Sequence, residues 1–209
     1  MNDFLKRLYE DIGNYYTDKI IAYGAVPKGV DWNSEESQII RFVQLTKIVT
    51  RDNFTINDIG CGYGKYFDFL KQHFKNFDYI GYDLSDEMIK VAKKLHTGEE
   101  QRFICVNKLS EIREAEYSVA SGIFNVKMHY KESEWLFYIL DTIDIMNKKS
   151  KKGFAFNMLT KYSDKEFMKD HLYYADPLFF FDYCKRNYSK DVALLHDYGL
   201  FDFTILVRK

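Results

Sequence analysis

One stretch constrains the fold of this chain more than any other. Residues 57–66 read NDIGCGYGKY, a glycine-rich turn. It follows a short apolar run, TINDIG at 55–60, which reads as a strand ending on glycine. It precedes a run, 63–74, that places Tyr63, Phe67, Leu70 and Phe74 on one helical face. Gly60, Gly62 and Gly64 thus form G-x-G-x-G between a strand and a helix, where glycine permits a tight turn and close backbone approach to a ligand.

The alternation continues downstream. DYIGYD (78–83) reads as a second strand, and Ser85 as the N-cap of a helix burying Met88, Val91, Ala92 and Leu95. RFICV (102–106) and YSVASG (117–122) supply strands three and four. A helix over 132–147 places Leu136, Ile139, Leu140 and Ile143 on one side, and GFAFNML (153–159) is strand five. After an irregular segment with a helix from Pro177 through Tyr188, residues 192–207 read as two strands around a turn at Tyr198-Gly199. Short strands separated by helices predict an α/β fold with a mostly parallel sheet covered on both faces, the last hairpin requiring one antiparallel edge strand. The first 50 residues differ. Phe4, Leu5, Leu8 and Ile12 have helical spacing, a loop covers 22–33, and Ser34 caps a helix running towards Val49. At 209 residues the chain suits one domain, 1–209, with 1–50 a helical cap and 160–191 an insertion on the acceptor side.

The glycine turn has an acidic partner. Asp83 ends the next strand, where a carboxylate can accept bonds from both hydroxyls of an adenosine ribose. A dinucleotide loop would read G-x-G-x-x-G, whereas here the third glycine comes one place early. A phosphate loop would end in G-K-[ST], whereas Gly64-Lys65 is followed by Tyr66. Asp58, just before the turn, suits a positively charged amino-acid group better than a pyrophosphate. The ligand these features favour is S-adenosylmethionine.

Asp58 to Gly64, D-I-G-C-G-Y-G, with Tyr82-Asp83-Leu84-Ser85 downstream, resembles the class I S-adenosylmethionine-dependent methyltransferases over about residues 54–207. The resemblance implies a Rossmann-like seven-stranded sheet of order 3-2-1-4-5-7-6 with strand 7 antiparallel. It implies that Asp58, Gly60, Cys61 and Gly62 hold the methionine end of the cofactor and Asp83 the ribose. Leu84 and Met88 would flank the adenine, and Asn107 and Lys108 would lie near its edge. Ser121, Gly122 and Phe124 would form the loop beneath the methionine moiety. Gly24-Ala25-Val26-Pro27, Gly29-Val30-Asp31-Trp32-Asn33 and Arg41-Phe42 resemble a narrower bacterial subgroup associated with surface-polysaccharide biosynthesis. That likeness implies a sugar-linked, capsule or lipopolysaccharide precursor as acceptor, and places Tyr16, Lys19 and Arg41 near the cofactor's carboxylate; for Arg41 a surface salt bridge is the competing role.

Methyl transfer from a sulfonium needs in-line positioning above all; an oxygen acceptor also wants a base, which a neutral amine does not. His196, followed by Asp197 and Tyr198, is the candidate base if 192–197 ends at the same sheet edge as Gly60 and Asp83; fixing the hairpin turn is its competing role. In the insertion, His171, Tyr173, Tyr174 and Asp176 are candidates for acceptor contact, joined by Tyr15 and Trp32 at the front of the chain; His129 is a weaker candidate. With no HExxH and no CxxC, no metal is expected. A formal net charge of -1 and the lack of a basic arm argue against nucleic acid, leaving a small-molecule substrate and a monomer or homodimer. An RNA or protein methyltransferase, or a non-catalytic cofactor-binding scaffold, are the alternatives. Three scattered cysteines, no apolar leader and no long apolar span fit a cytoplasmic protein. Seventeen Tyr, eighteen Phe and two Trp exceed ordinary usage. Low-GC codon bias would produce that excess alone, so location matters more than number.

Overall fold

A strand that ends in glycine, followed by an amphipathic helix, can bury both its faces only inside a layered sheet, and the computed structural model of the chain, described for residues 3–209, shows that arrangement. The elements run α1 (Asp3–Tyr23), α2 (Glu35–Thr46), β1 (Phe54–Ile59), α3 (Lys65–His73), β2 (Phe77–Asp83), α4 (Asp86–Leu95), β3 (Phe103–Cys105) and β4 (Ala115–Ala120). They continue with α5 (Glu132–Lys149), β5 (Ser150–Leu159), α6 (Pro177–Asn187), β6 (Asp191–Leu195) and β7 (Asp202–Arg208). The seven strands pair in the order β3-β2-β1-β4-β5-β7-β6. All neighbours are parallel except those of β7, which is antiparallel to both β5 and β6.

This is the order that the resemblance implies, and it puts the antiparallel strand inside the sheet rather than at the edge that the hairpin alone suggested. β7 inserts between β5 and β6, and its core-facing Phe203, Ile205 and Val207 are almost wholly buried, a placement that a strand with one free side would not give. β6, half-exposed along its length, takes the edge instead.

Two apolar layers flank the sheet. One joins Leu8, Tyr9 and Ile12 of α1 with Trp135, Tyr138 and Ile143 of α5 and Phe180 of α6. The other joins Phe42 and Leu45 of α2, Phe67 and Leu70 of α3, and Ile89 and Ala92 of α4. Each large side chain fully removed from water contributes about 1.5–3 kcal/mol, so much of the aromatic excess is core material.

Several boundaries follow from local chemistry. Ser34 Oγ accepts the Ser37 N–H at 3.1 Å and Ser85 Oγ the Met88 N–H at 3.2 Å, so both expected caps are made. α1 is longer than the leading apolar residues indicated and carries Tyr15 and Tyr16 on its last turns, whereas α2 stops at Thr46 rather than near Val49. Leu95 is exposed rather than buried, and Met88, Ile89 and Ala92 form the buried face of α4. Strand β6 ends at Leu195, so His196 and Asp197 fall outside the ladder, beyond the last pair Leu195–Thr204.

Candidate functional site

The topology locates a crevice before any side chain is considered. β1 lies between β2 and β4, with Ile59 opposite both Tyr82 and Ala120. The chain leaves β1 for one half of the sheet and returns through β4 to the other half. The loops after β1 and β4 diverge at the carboxyl edge, where open α/β sheets bind ligands.

Backbone geometry shapes the crevice floor. Gly60 has φ 75°, and a Cβ there would come within 2.2 Å of Ile123 Cγ2, so the β1 loop and the β4 loop meet through a missing side chain. Gly122 repeats the device: φ is 74°, and a Cβ would lie 2.3 Å from Trp32 Cζ2. Asn157 on β5 holds that second loop, accepting the Gly122 N–H at 2.7 Å and donating to Ser121 Oγ at 3.3 Å.

Two carboxylates face the same space. Asp83 accepts the Gly62 N–H and the Ser85 N–H, each at 2.9 Å, tying the glycine turn to the start of α4. Burial pushes its carboxyl above the ordinary range, and the backbone donors of Ser85, Gly62 and Leu84 pull it back. Asp58 is only 2% exposed and accepts the Tyr79 hydroxyl at 2.7 Å. Burial pushes its carboxyl up to about 7; the Tyr79 hydrogen bond opposes the rise and the Asp83 charge adds to it.

A cleft lies between these groups and an N-terminal roof. It brings together Tyr16, Trp32, Asp58, Gly60, Cys61, Gly62, Asp83, Leu84, Met88, Ser121 and Gly122. Acidic groups at two depths, glycine backbone between them and apolar walls at Leu84 and Met88 fit a ligand with a cationic end, a ribose and an aromatic base.

Other expected site residues stand elsewhere. Lys19 Nζ lies 2.6 Å from Asp31 Oδ1, and the Tyr15 hydroxyl donates to the same carboxylate, so both clasp the 24–33 segment rather than line the cleft. Arg41 is buried behind Trp32 in an ion pair with Asp202, not at the surface. Asn107 faces a neighbouring groove between α1 and the loop after β3, on the far side of Leu84, and Lys108 lies 3.8 Å from Glu111. Phe124 is fully buried against Tyr138 and Phe156, and its carbonyl accepts the Trp135 indole N–H at 2.7 Å.

The insertion residues also stay out of the lining. Asp176 caps α6 by accepting the Leu178 N–H at 3.0 Å and pairs with Lys161 at 2.8 Å. The Tyr174 hydroxyl accepts the Lys169 N–H, and the backbones of His171 and Tyr173 bond to Met128 and Asn125. His129 stacks on Tyr130 with ring centroids 4.5 Å apart. His196 is exposed, its ring 6.0 Å from that of Tyr162 and 6.3 Å from that of Phe203. Among the described residues, no group of three or more His, Cys, Asp or Glu side chains could hold a metal ion.

The cleft also uses residues that sequence reasoning passed over, among them Ile12, Val30, Gln38, Tyr63, Lys65, Tyr66, Leu109 and Tyr138. Ile12 was within reach, four positions before Tyr16 on one helical face. Gln38 was too, as a polar residue on the otherwise apolar face of α2 that Phe42 and Leu45 continue; it accepts the Tyr63 hydroxyl at 3.4 Å. Leu109 and Tyr138 carry no such signal.

Comparison with known proteins agrees with this geometry. A family model described as "Methyltransferase domain" matches residues 56–142. A Mycobacterium tuberculosis (strain ATCC 25618 / H37Rv) protein named "Putative methyltransferase Rv1506c" is 54% identical over 159 residues, 76% of this chain and 95% of that relative. The chain belongs to the class I S-adenosylmethionine-dependent methyltransferase family. This methyltransferase shares its fold with the solved DhpI-SAM-HEP complex, at TM-score 0.63 and 12% identity over 94% of this chain and 95% of that one. It also shares it with magnesium protoporphyrin IX methyltransferase from Synechocystis PCC 6803 with bound SAH, at TM-score 0.59 and 14% identity over 83% of this chain and 84% of that one. S-adenosylmethionine is the cofactor of the methyltransferase. No described helix is long and apolar enough to cross a membrane.

Proposed function

We propose that this methyltransferase transfers the methyl group of S-adenosylmethionine to an oxygen or nitrogen of a small polar acceptor, with a sugar-linked, capsule or lipopolysaccharide precursor as the acceptor class. The observation that carries a small acceptor is the roof. Val30 and Trp32 of the 24–33 segment closely cover Gly62 and Gly122, a cover that favours a compact acceptor over a polymer. A net charge of -1 agrees with the absence of a polyanionic partner. In this proposal 1–50 acts as a cap and 160–191 as a support for the acceptor side, in a monomer or homodimer.

The residue roles follow from placement. Asp83 accepts the ribose hydroxyls with the lone pairs its two backbone donors leave free. Leu84 and Met88 pack on the adenine, while Asp58 and the Gly60–Gly62 backbone hold the amino-acid end. Bound S-adenosylmethionine supplies a methyl group already activated on a sulfonium. The chain's own work is alignment, water exclusion by Val30, Trp32 and Tyr16, and charge complementarity by the two carboxylates. Burial and the Asp31 carboxylate push the Tyr16 hydroxyl up, keeping it a neutral donor beside the cation.

The test has two stages. Isothermal titration with S-adenosylhomocysteine measures the cofactor site, and absence of binding refutes the assignment. Incubation with methyl-labelled S-adenosylmethionine and an extract of activated sugars and small metabolites, followed by mass spectrometry, identifies the acceptor. Label found only in RNA or protein would overturn the small-acceptor proposal. His196→Ala separates the remaining question: an unchanged turnover excludes it as the base.

A further inference from the structure

The amino-acid end of S-adenosylmethionine carries an ammonium and a carboxylate, and Asp58 can match only the ammonium. The charged side chains lining the cleft are Asp58, Asp83 and Lys65. Neither carboxylate can receive an anion. Lys19 and Arg41, the cations that the sequence placed near the cofactor's carboxylate, are held by Asp31 and Asp202 instead. Among the described residues, Lys65 is therefore the one cation in the cleft lining.

Lys65 already has a counter-ion. It is the first residue of α3, and its Nζ lies 2.7 Å from Oε1 of Glu35, in the first turn of α2. The Glu35 side chain is 63% exposed and that of Lys65 29%; a pair so open to water contributes little, because two long side chains lose freedom to make it. Gln38 follows Glu35 by three positions, which puts both on one face of α2 with their Cβ atoms about 5–6 Å apart. Their surroundings differ. Gln38 is only 4% exposed and lines the cleft. Its Oε1 accepts the Tyr63 hydroxyl at 3.4 Å, and its amide nitrogen donates to no described residue. A buried amide donor favours a site where a ligand supplies the acceptor. The first turn of α3 also stands near Asp58: burial pushes the Tyr66 hydroxyl up, the Thr46 hydrogen bond opposes the rise, and the Asp58 charge adds to it.

We propose that Glu35 is the resting counter-ion of Lys65 and that the cofactor's carboxylate replaces it, taking Lys65 Nζ and the Gln38 amide N–H as its partners. No covalent bond changes. An ion pair open to water is exchanged for one inside the roofed cleft, where water screens the charges less and charge-assisted hydrogen bonds are stronger. The ammonium on the same carbon of the ligand stays with Asp58, so β1 matches one charge of the amino-acid end and α3 the other. Glu35 returns to water at the start of α2, where the helix dipole still favours its negative charge. This rests on the cofactor placement proposed above and adds the residue that tells an intact amino-acid end from one lacking its carboxylate.

The experiment is isothermal titration of the full-length protein at about pH 8, where Asp58 is largely ionised. Two ligands are compared, S-adenosylhomocysteine and its decarboxylated analogue, which keeps the amine. Lys65→Met should lower S-adenosylhomocysteine affinity about tenfold, ~1.4 kcal/mol, and leave that of the analogue within about twofold. Lys65→Arg keeps the charge in a form that suits a carboxylate and should recover most of the loss. Glu35→Gln removes the competing anion and should raise S-adenosylhomocysteine affinity about threefold, with the analogue indifferent; it serves if Lys65→Met does not fold. Equal loss of both ligands in Lys65→Met, no loss of either, or weaker S-adenosylhomocysteine binding by Glu35→Gln overturns the inference. Failure of the unmodified protein to bind S-adenosylhomocysteine instead overturns the cofactor placement beneath it.

Discussion

Asp58 offers the sharpest test of how the cleft handles charge. Its carboxyl rises from 3.8 to about 7 because burial disfavours the anion more than the Tyr79 hydrogen bond favours it. That rise costs the carboxylate about 4 kcal/mol in the free folded protein. Between about pH 4 and pH 7 the native chain holds a proton that the unfolded chain has released. The group's contribution to stability is therefore full at low pH and is lost as pH rises through about 7. Binding of a cationic amino-acid group has the opposite preference, because it requires the anion. With a carboxyl near 7, ~10% is ionised at pH 6 and ~90% at pH 8, so cofactor affinity should rise about tenfold over that interval. Isothermal titration of S-adenosylhomocysteine at pH 6, 7 and 8 measures this, with Asp58→Asn as reference. The variant should bind more weakly at pH 8, show little pH dependence, and melt at higher temperature than the unmodified protein above pH 7 without ligand. Affinity that is flat with pH in the unmodified chain, or a slope that survives in Asp58→Asn, would refute the argument.

Three further outcomes are expected. Asp83→Ala removes the acceptor for the Gly62 and Ser85 N–H groups along with the proposed ribose contact. S-adenosylhomocysteine affinity should fall at least tenfold by titration, with loss of about 1–2 kcal/mol of stability in urea. Gly122→Ala places a methyl where Trp32 Cζ2 lies and forces alanine to φ 74°. The indole should be displaced, seen as a red-shifted emission that Trp135, buried and bonded to Phe124, does not contribute. Ser85→Ala deletes the α4 cap and the contact with Thr17 Oγ1 at 2.7 Å, and should lower unfolding free energy by about 1 kcal/mol in a denaturant titration.

What was legible in the sequence obeyed local physics. A strand period of two, a helix period near 3.6, a capping serine and a glycine turn each act within a few residues. Residues 54–95 therefore showed their strand–helix–strand–helix order in the letters alone. The glycine turn and Asp83 come from consecutive units of that same order, so their meeting was foreseeable. His171, Tyr173, Tyr174 and Asp176 were legible by chemical type but not by direction, which backbone pairing to Met128 and Asn125 and the α6 cap set.

By itself, then, the sequence determined the α/β class, the glycine turn and the carboxylates that face it. Tertiary structure alone decided that Trp32 seats on Gly122 and that Arg41 meets Asp202 across 161 positions. Those contacts join segments that share no local pattern. Their free energy arises only when distant surfaces dock and exclude water together, so no short window of residues encodes them.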